Sequence, residues 1–313
     1  MKLSQLIAYR NALKDFSVGN IRTDVNMELD KIMHEVDIAN ISLSADSLLE
    51  QDLADINKAF GKFKQNFDKL QIQVAAQIKE AEQPYFEESY RFYQEEMRKD
   101  TVEQILSRKT SMSPESRNLM INRIQYYSDW KYPGMIIRPG QHDFISHMVN
   151  FDPLYIVDDN DALLTPSIAH FPEQYQRRVC RCYINEDDSY NNIMLDLPDN
   201  QFGICVAFDF FNFKPFEIVK QYLIEIHEKL RPGGTLAMTF NDCDHVAAMI
   251  LVENYFSCYT PGRMILDLAE DIGYELQYHY HKDGEPITWV ELRKAGNLET
   301  LRGGQTMAKI VRK

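Results

Sequence analysis

Apolar residues recur along the first part of the chain at steps that alternate between four and three. The set consists of Leu49, Leu53, Ile56, Phe60, Phe63, Phe67, Leu70 and Val74. This alternation is the period of a coiled-coil seam, so the stretch is predicted to form one long amphipathic helix. Ser44 or Ser47 can cap its start. Pro84 is expected to end or kink it, because proline lacks a backbone donor.

Three further helical patterns accompany the seam. They cover residues 3–16, 21–38 and 85–106. Residues 1–112 are therefore interpreted as an all-α, coiled-coil-like region. Phenylalanine at three seam positions is bulkier than the Ile, Val and Leu that a plain parallel dimer prefers. Two alternatives stay open: the helices pack on the chain's own second domain, or they form an arm for oligomerisation or docking.

After residue 112 the pattern changes to short apolar runs that alternate with helical periods. Residues 113–115, Ser-Pro-Glu, provide a capping hydroxyl, a first-turn proline and an acid, which predicts the start of a helix. The elements that follow are a strand at 135–137, a helix from about 143 and a strand at 154–157. Because the last of these strands ends at Asp158, the order is typical of the first half of a nucleotide-binding unit.

The later segments keep this order. They are a helix at 162–178, a strand at 179–184, a loop and a strand within 197–209, a helix at 215–230, a strand at 235–240, a helix from 260, and strands at 274–281 and 307–311. Alternating strands and helices predict an α/β fold, with helices on both faces of a mostly parallel sheet. Residues 113–313 are assigned to this domain.

A motif spans the predicted fourth and fifth strands. It comprises Leu197-Pro-Asp-Asn-Gln-Phe, a strand, an amphipathic helix and Leu230-Arg-Pro-Gly-Gly-Thr-Leu. Pro232 is expected to stop the helix, and Gly233 and Gly234 are expected to turn the chain sharply into the next strand. Over residues 132–313 the chain resembles the class I S-adenosylmethionine-dependent methyltransferases. The resemblance implies a Rossmann-like domain with S-adenosylmethionine as cofactor.

The resemblance places a cofactor loop after the first strand, where the family has an acidic residue and then Gly-x-Gly-x-Gly. Ile136 stands at the acidic position, and Gly140 remains at the centre of the loop. Arg138 and His142 replace the flanking glycines, and side chains there occupy space that a closely approaching ligand needs. Ile136, Arg138 and Gly140 are the cofactor-binding candidates in this loop.

Acidic residues after the next strands complete the candidate site. The resemblance implies that Asp158, followed by Asp159, holds the ribose hydroxyls and that Asp187 lies near the adenine edge. It places Phe208 and Asp209 beside the methyl-donor pocket. The alternative for each carboxylate is an ordinary turn residue in a solvated loop. The acids around Asp158 lack the spacing of a calcium loop, so no metal is expected.

Composition and charge narrow the classes of protein. Asp and Glu number 47 against 34 Lys and Arg, which gives a formal net charge of -13. Nucleic acid is therefore not expected as a partner, although Arg177, Arg178 and Arg181 form a short basic run. No stretch approaches the ~20 apolar residues of a membrane span, and the N-terminus is a poor signal peptide. The five cysteines lack metal-binding spacing, so free thiols and a cytoplasmic location are expected.

Residues 208–212 read Phe-Asp-Phe-Phe-Asn, which is neither the Asn/Asp-Pro-Pro-Tyr motif of amino-directed DNA methyltransferases nor the Pro-Cys of cytosine-5 enzymes. The resemblance therefore implies methyl transfer to a small molecule, sugar, lipid or protein side chain. His279 or His281 is either a base or an ordinary surface or packing residue.

The alternative function is a catalytically inactive structural or assembly protein, such as a virion or scaffold component. The position of Arg138 separates the two hypotheses. An Arg138 side chain that pairs with Asp158 fills the ribose site. One that points outward, or that is placed to hold the carboxylate of the cofactor, leaves binding open.

Overall fold

The computed structural model describes residues 2–15, 44–96, 99–107, 112–127, 132–139, 143–186, 192–194 and 196–297. Spatial contacts divide the chain into two compact units, Met1–Gln83 and Pro84–Lys313. The boundary that the sequence predicts after residue 112 stays a prediction. The division by contacts falls earlier because residues after Pro84 pack on the second unit; for example, the backbone N–H of Tyr259 donates to Ser89 Oγ at 2.7 Å.

Helix α1 (Leu3–Asp15) lies in the first unit, and helix α2 (Ser44–Glu95) begins there. Helix α1 confirms the predicted helix at 3–16 as far as Asp15, and the helix predicted at 21–38 lies outside the described residues. Within the seam of α2, Val74 is buried, whereas Phe63 is 43% exposed. The side chains of the first three seam residues are outside the described part of the chain.

The 52-residue helix α2 continues through Pro84, so the helix does not end at this residue, and the alternative of a kink there stays a prediction. Proline removes one backbone hydrogen bond, but tertiary contacts hold the turns that follow it. Phe86 packs edge-on against Tyr259, with ring centroids 4.9 Å apart. The helix predicted at 85–106 is consequently divided between the end of α2 and a short helix α3, Val102–Ser107.

The second unit alternates helices and strands after α4 (Pro114–Tyr126), which begins at the predicted Ser113 cap. The strands are β1 Gly134–Ile137, β2 Leu154–Asp158, β3 Val179–Tyr183, β4 Phe202–Ala207, β5 Leu230–Asn241, β6 Tyr274–His281 and β7 Ile287–Lys294. The later helices are α5 Asp161–Ala169, α6 Glu173–Gln176, α7 Phe216–Lys229, α8 Val246–Glu253 and α9 Gly262–Ile272. Short 3₁₀ helices occupy Asp143–Met148 and Phe211–Phe213.

The seven strands form one sheet in the order β3-β2-β1-β4-β5-β7-β6. Strands β1 to β5 pair in parallel, and β7 pairs antiparallel with both β5 and β6. The predicted α/β class with a mostly parallel, Rossmann-like sheet is confirmed. Strands β2 and β3 follow β1 in the sheet on one side of that strand. The chain then crosses β1, and β4 and β5 lie on its other side.

Alternate side chains of β1 enter two different apolar clusters. Met135 and Ile137 pack in a cluster that includes Tyr222 of α7, whereas Ile136 packs in a second cluster with Phe151 and Trp289. Successive side chains of a strand point to opposite faces of a sheet, so the two clusters cover its two faces. A strand buried on both faces has a continuous apolar sequence, which explains why β1 is recognisable from sequence.

Several elements of the second unit differ from the sequence prediction. The helix predicted at 162–178 is divided into α5 and α6, because Pro172 lacks a donor and stands at the N-cap of α6. The helix expected from residue 143 is a 3₁₀ helix. The strand that follows β6 is β7, which the sequence pattern did not predict, and the strand predicted at 307–311 lies outside the described residues.

The glycine pair after α7 forms a bulge within β5. This strand begins at Leu230, and its pairing with β4 shifts register just after Phe202. Gly233 has φ +80°, a conformation that glycine adopts without strain. A Cβ atom on Gly234 would lie 2.6 Å from the carbonyl oxygen of Phe202. The sharp turn predicted before the strand is therefore a bulge inside it.

Candidate functional site

Arg138 and Asp158 meet at the carboxyl ends of β1 and β2. The backbone N–H of Arg138 donates to the carbonyl of Val157 at 2.8 Å, which continues the pairing of the two strands. Arg138 has φ 41°, in the left-handed region that favours glycine. Its Nε donates to Asp158 Oδ1 at 2.8 Å, and its Nη2 donates to Asp159 Oδ2 at 2.6 Å. Arg138 therefore adopts the arrangement in which it fills the predicted ribose site.

The ion pair is buried at one end and open at the other. The exposed fractions of the side chains are 1% for Asp158, 15% for Arg138 and 48% for Asp159. Burial raises the pKa of Asp158 to about 6, although the neighbouring Arg138 guanidinium favours the carboxylate. The backbone N–H of Asp159 also donates to Asp158 Oδ1, at 2.8 Å. At neutral pH this site thus holds a buried carboxylate with charged and backbone donors.

A second charged cluster is centred on Glu186, two residues after Ile184. Lys214 Nζ donates to both carboxylate oxygens at 2.6 and 2.7 Å. The hydroxyl of Tyr222 donates to Oε1 at 2.5 Å, and that of Tyr93 donates to Oε2. Burial alone would raise the pKa of Glu186, but Lys214 and the two hydroxyls lower it to about 2. Side chains from three other parts of the chain thus converge on one ionised carboxylate.

The ring of Phe210 lies between the two clusters. Its centroid is 5.5 Å from the guanidinium carbon of Arg138 and 4.9 Å from Lys214 Nζ. These distances are within the range of cation–π contacts, so one ring faces both cations. Side chains of both charges therefore surround one buried aromatic ring.

Asp209 belongs to a separate polar group at the ends of β4 and β5. It has φ 51°, and its backbone N–H donates to Thr239 Oγ1 at 2.8 Å. Its Oδ1 accepts from Asn212 Nδ2 at 2.8 Å. Phe208 and Ile136 are buried together in the apolar cluster on one face of the sheet. The structure thus brings three of the candidates, Arg138, Asp158 and Asp159, into direct contact.

The histidine candidates on β6 differ in surroundings. His281 stacks on His245, with ring centroids 3.4 Å apart and an interplanar angle of 12°. Its Nδ1 lies 3.0 Å from Thr288 Oγ1. Burial and the neighbouring His245 lower the pKa of His281 to about 4, so it is neutral at physiological pH. His279 is exposed.

Gly140, His142 and Asp187 lie outside the described residues. Within the described part of the chain, no three His, Cys, Asp or Glu side chains are grouped so that they could hold a metal ion. In the same part, no helix is long and apolar enough to cross a membrane. All five cysteines are free, and Cys205, Cys243 and Cys258 are buried.

The short basic run is paired with acidic side chains. Arg177 pairs with Glu173 at 3.6 Å, Arg178 pairs with Asp152, and Arg181 pairs with Asp161 at 3.3 Å. Each guanidinium thus has a neighbouring carboxylate that reduces its local charge.

The Glu186 cluster is the part of the site that the sequence reasoning missed. One signal was available: Lys214 stands alone within the apolar segment Phe-Asn-Phe-Lys-Pro-Phe, where a charge requires a partner. Glu186 is the first acid after β3 and stands next to the candidate Asp187. Nothing in the sequence indicated that Tyr93 of α2 would reach the same carboxylate.

No family model and no curated protein matches this chain. Solved structures do. A possible exported protein from Bordetella parapertussis has a TM-score of 0.45 and 10% identity, over 62% of this chain and 78% of that one. An S-adenosylmethionine-dependent methyltransferase from Mesorhizobium loti has a TM-score of 0.44 and 11% identity, over 56% of this chain and 96% of that one. The N-methyltransferase NodS from Bradyrhizobium japonicum, in complex with S-adenosylhomocysteine, has a TM-score of 0.44 and 12% identity, over 61% of this chain and 95% of that one. Two of the three are described as methyltransferases.

Proposed function

We propose that the chain is an S-adenosylmethionine-dependent methyltransferase whose nucleoside site lies at the carboxyl ends of β1 and β2. One observation carries the proposal: Asp158 is a buried carboxylate at the end of β2, beside the point where the strand order reverses between β1 and β4. In open α/β sheets, ligands bind outside the carboxyl ends of the strands at such a point. A carboxylate there can accept hydrogen bonds from both hydroxyls of a ribose.

The other candidates from the sequence are proposed to share this site. The residues proposed to form the cofactor site are Ile136, Arg138, Gly140, Asp158, Asp159, Asp187, Phe208 and Asp209. The cofactor, when bound, supplies a methyl group on a sulfonium, whose transfer requires alignment with the acceptor more than a dedicated catalytic group. The chain's own contribution is to hold the nucleoside through Asp158 and to exclude water. The acceptor is proposed to be a small molecule, sugar, lipid or protein side chain, and the pairing of the basic run supports the exclusion of nucleic acid.

Calorimetric titration with S-adenosylmethionine and S-adenosylhomocysteine tests this function. The wild type is expected to bind at micromolar concentrations, and Asp158→Ala is expected to lose binding. Asp271→Ala is a matched control, because this exposed aspartate lies near the carboxyl end of α9 and outside the proposed site. No binding by wild type at millimolar ligand contradicts the proposal. Equal loss in both variants would show that the effect is not specific to Asp158.

A second candidate function is a non-catalytic methyltransferase-like assembly protein. The observation that favours it is the Arg138–Asp158 ion pair, because a chain that no longer binds a nucleoside can fill the ribose site with its own cation. The same titration distinguishes the two functions, since the assembly protein would bind neither ligand.

We also propose that the chain self-associates through the seam of α2. The exposure of Phe63 on a helix with a 3.5-residue apolar period supports a partner helix at this position. The five free thiols support the proposed cytoplasmic location.

A further inference from the structure

Arg138 and a ribose would compete for the same acceptor. Both hydrogen bonds found on the Asp158 carboxylate end on Oδ1, and one of them comes from the guanidinium. We propose that Arg138 is a built-in competitor that sets the affinity of the nucleoside site, so that a ligand binds only after the Arg138–Asp158 ion pair has opened. This inference rests on the proposed function and concerns the regulation of the same site.

The ion pair is strong enough to lower the affinity of a ligand for the site. Hydrogen bonds between two charged groups are roughly twice as strong as neutral ones. Ribose hydroxyls are neutral donors, so they must replace a charged donor on a carboxylate that is almost fully buried. Part of the binding free energy of the ligand is therefore used to release Arg138, and the observed affinity is correspondingly lower.

The surroundings also allow Arg138 to leave. Its Nη2 is held by Asp159, which is half-exposed and lies on the solvent side of the pair. When Arg138 releases Asp158, it keeps this second carboxylate and moves toward water. The other nearby cation, Lys214, stays bound to Glu186 and Tyr93 and does not replace it. Opening thus leaves Arg138 paired with Asp159, while the buried Asp158 carboxylate keeps the Asp159 N–H and gains the ribose hydroxyls as donors.

Titration of S-adenosylhomocysteine into wild type, Arg138→Gln and Arg138→Lys tests the proposal. Arg138→Gln removes the charge and is expected to bind on the order of tenfold more tightly than wild type, which corresponds to the loss of one charge-assisted hydrogen bond. Arg138→Lys keeps a cation beside Asp158 and is expected to fall between them. It also protects the test against a folding failure of the glutamine variant. Circular dichroism establishes that each variant is folded.

The outcomes separate this inference from the function on which it rests. If wild type binds and folded Arg138→Gln binds equally or more weakly, the proposal that Arg138 competes with the ligand is overturned. The methyltransferase proposal then stays in place. Absence of binding by wild type and by both folded variants overturns the function and the competitor together, because a freed Asp158 would then hold no nucleoside.

Discussion

Lys214 places its ammonium nitrogen within 2.7 Å of both carboxylate oxygens of Glu186 in the interior of the second unit. Both side chains are largely shielded from solvent, and the hydroxyls of Tyr93 and Tyr222 bond to the same carboxylate. Burying two charges is costly, but removing one of them is costlier, because the remaining charge stays in the interior without compensation. This pair therefore links α2, the segment after β3, the segment before α7, and α7 itself.

Lys214→Met is expected to lower the free energy of unfolding by about 3–5 kcal/mol, since it strands the Glu186 carboxylate. Combining it with Glu186→Gln removes the stranded charge, so the double variant is expected to recover part of the loss. Urea unfolding of the two single variants and the double variant measures these changes in the free energy of unfolding. A double variant less stable than Lys214→Met would contradict the proposed energetic coupling.

The same carboxylate predicts a pH dependence of stability. Its partners lower the pKa of Glu186 from 4.5 to about 2 in the folded chain. Between these values the unfolded chain binds a proton that the folded chain does not, so this stabilisation is present above pH 4.5 and is lost as the pH falls toward 2. Thermal unfolding of wild type and Glu186→Gln, compared from about pH 6 downward, is expected to show a difference that shrinks over this range. A constant difference would show that Glu186 does not titrate in that window.

Strand β1 was predictable because its sequence is a continuous apolar run, whereas β7, which is also buried on both faces, was not. It contains Glu291 and Lys294, which resemble surface residues in a linear sequence. In the structure, Glu291 accepts from Arg123 of α4 and from Tyr127 just after it, and Lys294 Nζ donates to the carbonyls of His227 and Leu230. These partners lie far away along the chain, so periodicity could not show that the two charges would be buried.

The candidate site likewise contains residues that were predictable from the sequence and contacts that were not. Asp158 was predictable because a strand-end acid follows directly from the order of strands and turns. The contact between Arg138 and Asp158 was posed as one of two alternatives, because sequence alone does not give the direction of a side chain. The Glu186–Lys214 pair depends on the packing of separate elements, and only the fold reveals it.

Gly262, the first residue of α9, predicts a steric effect. Its N–H donates to Asp242 Oδ1 at 2.8 Å, and a Cβ atom at this position would overlap the Asp242 carboxylate. Gly262→Ala must displace that carboxylate, which also accepts from the N–H of Asp244 at 2.9 Å. A loss of about 1–3 kcal/mol in the free energy of unfolding is expected.

Gly61→Ala is the control for this substitution. A Cβ atom on Gly61 meets nothing within 4 Å, and the residue lies inside helix α2. Alanine there is expected to stabilise the helix by roughly 0.5–1 kcal/mol. Denaturant unfolding followed by circular dichroism measures both variants. Equal stability of Gly262→Ala and wild type would show that the Asp242 carboxylate can move at little cost.

The proposed self-association gives the last prediction. Phe63 lies in the seam of α2, whereas Ile72, which is 68% exposed, lies on the same helix outside the seam. Phe63→Glu is expected to dissociate the oligomer, because it places an unpaired charge in an apolar interface. Ile72→Glu adds the same charge off the seam and is expected to leave the assembly intact. Multi-angle light scattering measures the mass of each variant. A monomeric wild type would refute the proposal, and equal dissociation by both variants would show that association does not depend on the seam.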